Sequence, residues 1–138
     1  MIQFTVYGHA EPQGSTRAFI PKGWTRPIIT TASKKMKPWR QQITGTAIDV
    51  PGMKKWTRAE GGVNLTLVFV FSRPASLPKK LTVLNKKPDV DKLARSVLDS
   101  LTGIAYEDDS QVIGLHVVKS YGSPERVEIG IDFIEHSK

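Results

Sequence analysis

Residues 63–72, VNLTLVFVFS, leave the chain few options. Valine, leucine and phenylalanine dominate the stretch, and such residues suit a pleated strand. A strand apolar at nearly every position belongs in the middle of a sheet, where both faces are covered. The rest of the chain must supply that cover.

Several segments can do so. Ile2 to Gly8 (IQFTVYG) alternates with period two and reads as a strand. QVIGLHVVKS, residues 111–120, reads as another, and GSPE then turns the chain back into RVEIGIDFI. Val127, Ile129, Ile131 and Phe133 alternate there, so these last two strands are predicted to form a hairpin. RPIITT is a short β-branched stretch, and residues 10–26, with Pro12, Gly14, Pro21 and Gly23, form a long basic loop or loose hairpin. One helix is expected from about Ser33 to Asp49, with Pro38 tolerated in its first turn and an inward stripe of Trp39, Ile43, Ala47 and Val50. A second begins near Asp89, where Val90, Leu93, Ala94, Val97, Leu98 and Leu101 share one apolar face. Pro51-Gly52 and Gly61-Gly62 interrupt the chain between them.

The order is β, loop, α, β, α, β, β. It predicts an α/β (α+β) fold in one domain, 1–138, with a mixed sheet flanked by two helices. At 138 residues such a domain buries roughly 68–70% of its unfolded surface. Cysteine is absent, which excludes disulfides and thiolate metal sites and suits a reducing compartment. No apolar run approaches the ~20 residues that span a membrane. The N-terminal MIQFTVYGHA lacks the form of a signal peptide, so a cytoplasmic protein is expected.

Charge is unevenly placed. Residues 1–88 carry 15 Lys/Arg against 3 Asp/Glu, while residues 89–138 carry 5 against 10. A basic surface spread over several loops suits a polyanion such as nucleic acid, although a solvated basic face also serves solubility alone. The acids gather in two places. KKPDVDKLARSVLDSLTG, residues 86–103, puts Asp89 and Asp91 at a helix start behind positive charge, and YEDDS puts Asp108 and Asp109 before a strand. In a continuous helix Asp89 and Asp91 would point about 200° apart. Pro88 biases Lys87 toward extended chain, so Asp89 is expected at the cap and Asp91 in the first turn, from where their carboxylates converge. Aspartates from a helix start and a strand start, meeting around Mg²⁺ or Mn²⁺, would form a hard-oxygen site. Bare carboxylates repel phosphate, and a cation between them removes that repulsion. Separately, each acid also has an ordinary reading, Asp89 and Asp91 as a helix cap and dipole partner, Asp108 and Asp109 as turn residues.

KPDVDKLARSVLDSLTG followed by YEDDSQVIGLHVVK resembles the RusA-type Holliday junction resolvases, small crossover-junction endonucleases of phages, prophages and bacteria. PQGSTRAF and KKMKPWR match that family more loosely. The resemblance implies a metal-dependent, homodimeric DNA endonuclease resolving four-way junctions by paired nicks; the residues themselves indicate no nucleotide cofactor and no membrane association. On it, Asp89, Asp91 and Asp109 match the essential acids, with Asp108 alongside as a further metal ligand, and Arg95 stands where the family has its basic active-site residue. Two departures are visible: Lys92 replaces the usual asparagine, and Arg95 replaces lysine. Arginine keeps its charge but does not readily release a proton, so its expected role is to hold phosphate. An i,i+4 ion pair of Arg95 with Asp91 or Asp99 is its ordinary alternative.

Lys79, Lys80, Lys86, Lys87 and Lys92 flank the acid pair and are expected to contact DNA phosphates. Arg17, Lys22 and Arg26 form a second basic patch around Trp24, which either stacks on unpaired bases or covers the loop. His9, His116 and His136 are scattered and show no metal-ligand spacing. No phosphate-binding loop of the G-x-x-x-x-G-K-[ST] kind and no serine-nucleophile motif occurs. The rival expectation is a non-catalytic branched nucleic-acid-binding module.

Overall fold

A computed structural model of the chain describes residues 1–14, 17–19, 23, 28–30 and 35–137, with backbone only for 17–19 and 28–30. The apolar stretch forms β4 (Gly61–Phe71), an inner strand of a four-stranded sheet. Its odd-numbered side chains from Val63 to Phe71 are buried, whereas Asn64 on the opposite face is exposed. The other strands are β1 (Ile2–Tyr7), β5 (Val112–Tyr121) and β6 (Arg126–Glu135), in the order β1-β6-β4-β5. The loose basic hairpin appears as two three-residue strands, β2 (Arg17–Phe19) and β3 (Ile28–Thr30), paired antiparallel.

Two helices cover one face of the sheet. α1 (Met36–Ile48) buries Met36, Trp39, Ile43 and Ala47, the predicted stripe extended one turn toward its start, with Pro38 harmless in the first turn. Val50 lies beyond the helix and is half-buried. α2 (Val90–Leu101) buries Leu93, Ala94, Val97 and Leu101 in the same core as Leu65, Leu67 and Phe69. Residues 9–14 run beside α2: Gln13 N donates to Lys92 O at 3.0 Å, and Ser96 Oγ to Glu11 O at 2.8 Å.

The predicted hairpin does not form. β6 pairs antiparallel with β1 and β4, and β4 separates it from β5. The reason lies in the preceding connection. β4 and β5 are parallel, which requires a crossover, and α2 lies within it. After β5 has taken one edge of β4, the alternating apolar face of β6 extends the core only by taking the other. The turn after β5 crosses the end of β4, where Gly122 N donates to Phe71 O at 2.9 Å. β5 is left at the rim, with α2 above it. No helix among the described residues is long and apolar enough to cross a membrane.

Candidate active site

At the N-terminal end of α2, Asp89 is the cap residue with extended backbone (φ −75°, ψ 141°), as its position after Pro88 predicts. Its side chain makes no capping hydrogen bond and instead pairs with Lys92 Nζ at 3.2 Å. Asp91 stands exposed in the first turn, where the helix dipole favours a negative charge. Arg95 is exposed one turn further on, and no ion pair ties it to Asp91 or Asp99 among the described residues. Lys79, Lys80, Lys86 and Lys87 are all exposed on the connection leading to this end. Lys119 of β5 fastens that connection by donating to Pro88 O at 2.8 Å and to Lys86 O. The sequence reading missed Lys119, because a lysine in a strand carries no local sign of such a role.

The second acidic group lies at the other end of α2. Asp109 begins a short 3₁₀ turn, Asp109–Gln111, that runs directly into β5. Asp108 caps this turn, accepting from Ser110 N at 2.9 Å, and also pairs with Arg58 Nη2 at 2.7 Å. Gln111, buried at 6% exposure, closes the capping box from the other side. Tyr106 is fully buried and donates to Leu98 O at 2.7 Å, which fixes the acidic segment to α2; burial pushes its phenol pKa well up. Together Arg40, Asp99, Thr102, Glu107, Asp108 and Asp109 line an open concavity of about 320 Å³. Asp99 also accepts from Gln13 Nε2.

The Asp109 carboxyl lies above the ordinary carboxylate range, first through its side-chain interaction with Asp108, then through slight desolvation and the charges of Asp108 and Asp99. Asp108 is held low by Ser110 N–H, by Asp109 and by Arg58. An acid with a raised folded pKa keeps its proton while the unfolded chain has already lost it. Its effect on stability therefore turns unfavourable as pH rises past the ordinary value and stays so above the raised one. Asp109→Asn should accordingly melt about 1–3 °C higher than the parent at pH 7, a small gain because exposed charges are screened. The gain should vanish below pH ~3.5, which thermal melts across pH will show.

The structure thus joins the two helix-start acids to the lysine-bearing connection, and joins Asp108 and Asp109 to Asp99. It does not join the two groups within one chain. Asp91 and Asp99 are eight residues apart on α2, roughly 12 Å along its axis, and Asp109 sits with Asp99. Carboxylates sharing one Mg²⁺ bring their oxygens within about 4 Å of each other. No group of three potential ligands is gathered among the described residues, so a single chain does not fit the ion. Asp99, which follows Asp91 at helical spacing, joins Asp109 although the sequence pattern does not single it out. Arg40 closes the KKMKPWR stretch, whereas Arg58, from a distant segment, has no local signal. Arg17 is placed only by its backbone in β2, and Lys22, Trp24 and Arg26 lie outside the described residues. His9 pairs with Glu125 at 3.0 Å and His136 bonds Arg58 O at 2.9 Å, while His116 is exposed on β5.

Comparison with known proteins adds two findings. The model of a family described as endodeoxyribonuclease RusA matches residues 9–132, a span that contains both acidic groups and the lysine-bearing connection. The chain is also 31% identical over 140 residues to a Bacillus subtilis (strain 168) protein described as "Uncharacterized protein YqaN", with 94% of each chain covered.

Proposed function

The chain belongs to the RusA endodeoxyribonuclease family, and from that membership we propose that it resolves four-way DNA junctions in the bacterial cytoplasm by paired, symmetric nicks, acting as a homodimer. DNA is the partner that the family membership supports. The observation that carries the finer reading is the state of the α2 start. Asp89 makes no capping bond, Asp91 is exposed, and the lysine-bearing connection leads directly to both. An acid serving only as the cap would accept from the helix backbone, which Asp89 does not.

In this reading Lys79, Lys80, Lys86, Lys87 and Lys92 hold backbone phosphates, and Arg17, Lys22 and Arg26 contact the arms. Arg95 neutralises charge on the scissile phosphate with its planar fork. Mg²⁺ or Mn²⁺ is the proposed ion; Asp89 and Asp91 are its proposed ligands at the α2 start, and Asp109, with Asp108 alongside, is proposed with them, although the described residues of one chain do not gather these acids around one ion. An ion held there would supply Lewis-acid chemistry toward the phosphate. The protein's part is to desolvate and orient the strand around it.

Incubation with a synthetic four-way junction, with and without Mg²⁺ or Mn²⁺, followed by a denaturing gel, tests this directly. The expected result is metal-dependent nicking of the junction at symmetric positions, with linear duplex and flap substrates cut poorly. Junction binding without nicking, across both metals and several junction sequences, would instead establish the non-catalytic module. Combined Lys79→Ala and Lys80→Ala should weaken junction binding and flatten the dependence of log K on log salt by about one to two units.

A further inference from the structure

The connection from Ser72 to Asp89 runs between β4 and α2 with no helix or strand of its own. Connections of that length in a compact domain usually carry function or are disordered. This one is held down. Arg73 donates to Leu77 O at 3.5 Å and to Pro78 O, while Lys119 of β5 donates to Lys86 O and, at 2.8 Å, to Pro88 O. Two cations thus bond backbone carbonyls and fix both ends of a segment that no sheet ladder fixes.

Between those ends the segment exposes aliphatic surface among its lysines. Leu81 is 44% exposed and Val83 72%, and solubility alone gives no reason for such a cluster. The two are not scattered. With Leu77 and with Tyr121, the last residue of β5, they wall an open cavity of about 200 Å³. Thr82 and Asn85 supply polar lining, and Lys80 and Lys86 border the same space. Among the described residues, the side chains of Thr82, Asn85 and Tyr121 have no hydrogen-bond partner. Apolar walls with a few free polar groups are the usual form of a ligand site. The volume lies below the roughly 300–1,000 Å³ of sites for larger ligands, so a single small ring system fits.

Charge and chemistry select the ring. An occupant of this place has a face for Leu81, Val83 and Tyr121, an edge for Asn85, and negative charge for the lysines on either side. A nucleobase on its phosphate backbone has all three. Its face stacks on an aromatic ring, its edge takes paired hydrogen bonds from an asparagine amide, and a phosphate stands on each side of it. Only an unstacked base offers its face, and a branch point is where stacking is interrupted. Lys86 precedes Asp89 by three residues, at most roughly 11 Å of chain. That is the length of about three stacked nucleotides, so a base seated here brings phosphates of its own strand to the α2 start.

We infer that the cavity between the Ser72–Asp89 connection and the end of β5 receives one unstacked nucleobase, with Tyr121 and the aliphatic wall against its face and Asn85 reading its edge. Such a contact supplies what the lysines cannot: register along the strand and a preference among bases. The inference deepens the proposed DNA reading and rests on its nucleic-acid part, not on cleavage.

Binding to a synthetic four-way junction in a chelator, where no strand is cut, tests it by fluorescence anisotropy. Abasic residues are placed symmetrically on two opposed strands, one position at a time, within three nucleotides of the branch point. At one position the parent should bind about 5- to 100-fold more weakly, the worth of one stacked base. Tyr121→Ala and Asn85→Ala should each weaken binding to the intact junction, and the abasic residue at that position should weaken these variants no further. Their slope of log K against log salt should match the parent's, because no phosphate contact is lost. Asn85 is exposed, so its variant keeps the fold, which circular dichroism verifies. If no abasic position weakens the parent, or if the loss is as large in the variants, the inference is overturned. A variant whose salt slope flattens along with its affinity has lost a phosphate contact, which also overturns it. If the base effect appears while the parent cuts no junction with Mg²⁺ or Mn²⁺, the nuclease reading fails and the base site stands. If the parent cuts junctions while no abasic position matters, the base site alone fails.

Discussion

Gln111→Ala should lose about 2–4 kcal/mol of folding stability, a fall of roughly 6–15 °C in melting temperature. Few side chains in this protein are as fully engaged. Gln111 Oε1 accepts from Glu107 N at 2.8 Å and from Asp108 N at 3.3 Å, while Nε2 donates to Gly61 O at 3.1 Å and to Trp56 O at 3.3 Å. The residue is only 6% exposed. Alanine leaves a void where these groups converge and removes the bonds to Asp108 N and to Gly61 O, the latter buried, while Glu107 N and Trp56 O keep their bond to each other at 3.2 Å. The loss should also extend to function, because the same bonds orient Asp108 and Asp109. Junction nicking should drop even at temperatures where the variant remains folded. Gln111→Glu is the informative companion. It keeps the volume and the acceptor, but turns a second oxygen toward the carbonyls of Trp56 and Gly61. Its stability should fall further as pH rises, since only the protonated acid can donate there. Chemical denaturation at two pH values, beside a gel assay below the transition, measures both effects.

The second large effect concerns chemistry more than folding. Asp91→Asn should reduce metal-dependent nicking of a four-way junction by about 100-fold or more, as loss of an anionic ligand does. Affinity for the junction should change by less than about threefold at matched salt, because the phosphate contacts are proposed for the lysines and not for Asp91. The stability cost should stay within about 1 kcal/mol, the worth of one favourable charge on the helix dipole. A variant that loses binding along with cutting would assign Asp91 to recognition instead. One that cuts normally would remove it from the site.

Much of this architecture was readable from residue patterns. The apolar stripe of α1 appears as predicted from Trp39, Ile43 and Ala47, and α2 begins where Pro88 and Asp89 require. β4 is central, as its composition demanded. These features depend on periods of two and 3.6 residues and on proline, which act within a few neighbours. The place of Asp99 in the second acidic group is also local, because a helix of twelve residues carries its far end toward the turn that follows. The places of Arg58 and Gln13 are not, because each reaches its partner across many residues of intervening chain.

The boundaries of strands and helices, the buried face of each and the clustering of charge were therefore determined locally. Which strand lies beside which was not: β6 alternates equally well as a neighbour of β5 or of β4, and only the crossover through α2, by occupying one side of β4, sends it to the other. The same crossover separates Asp109 from Asp89 and Asp91 along the length of α2. Side-chain pattern is set by the alternation of adjacent residues, whereas strand order and the meeting of distant acids are set by competition for the same buried surface, which exists only once the elements pack.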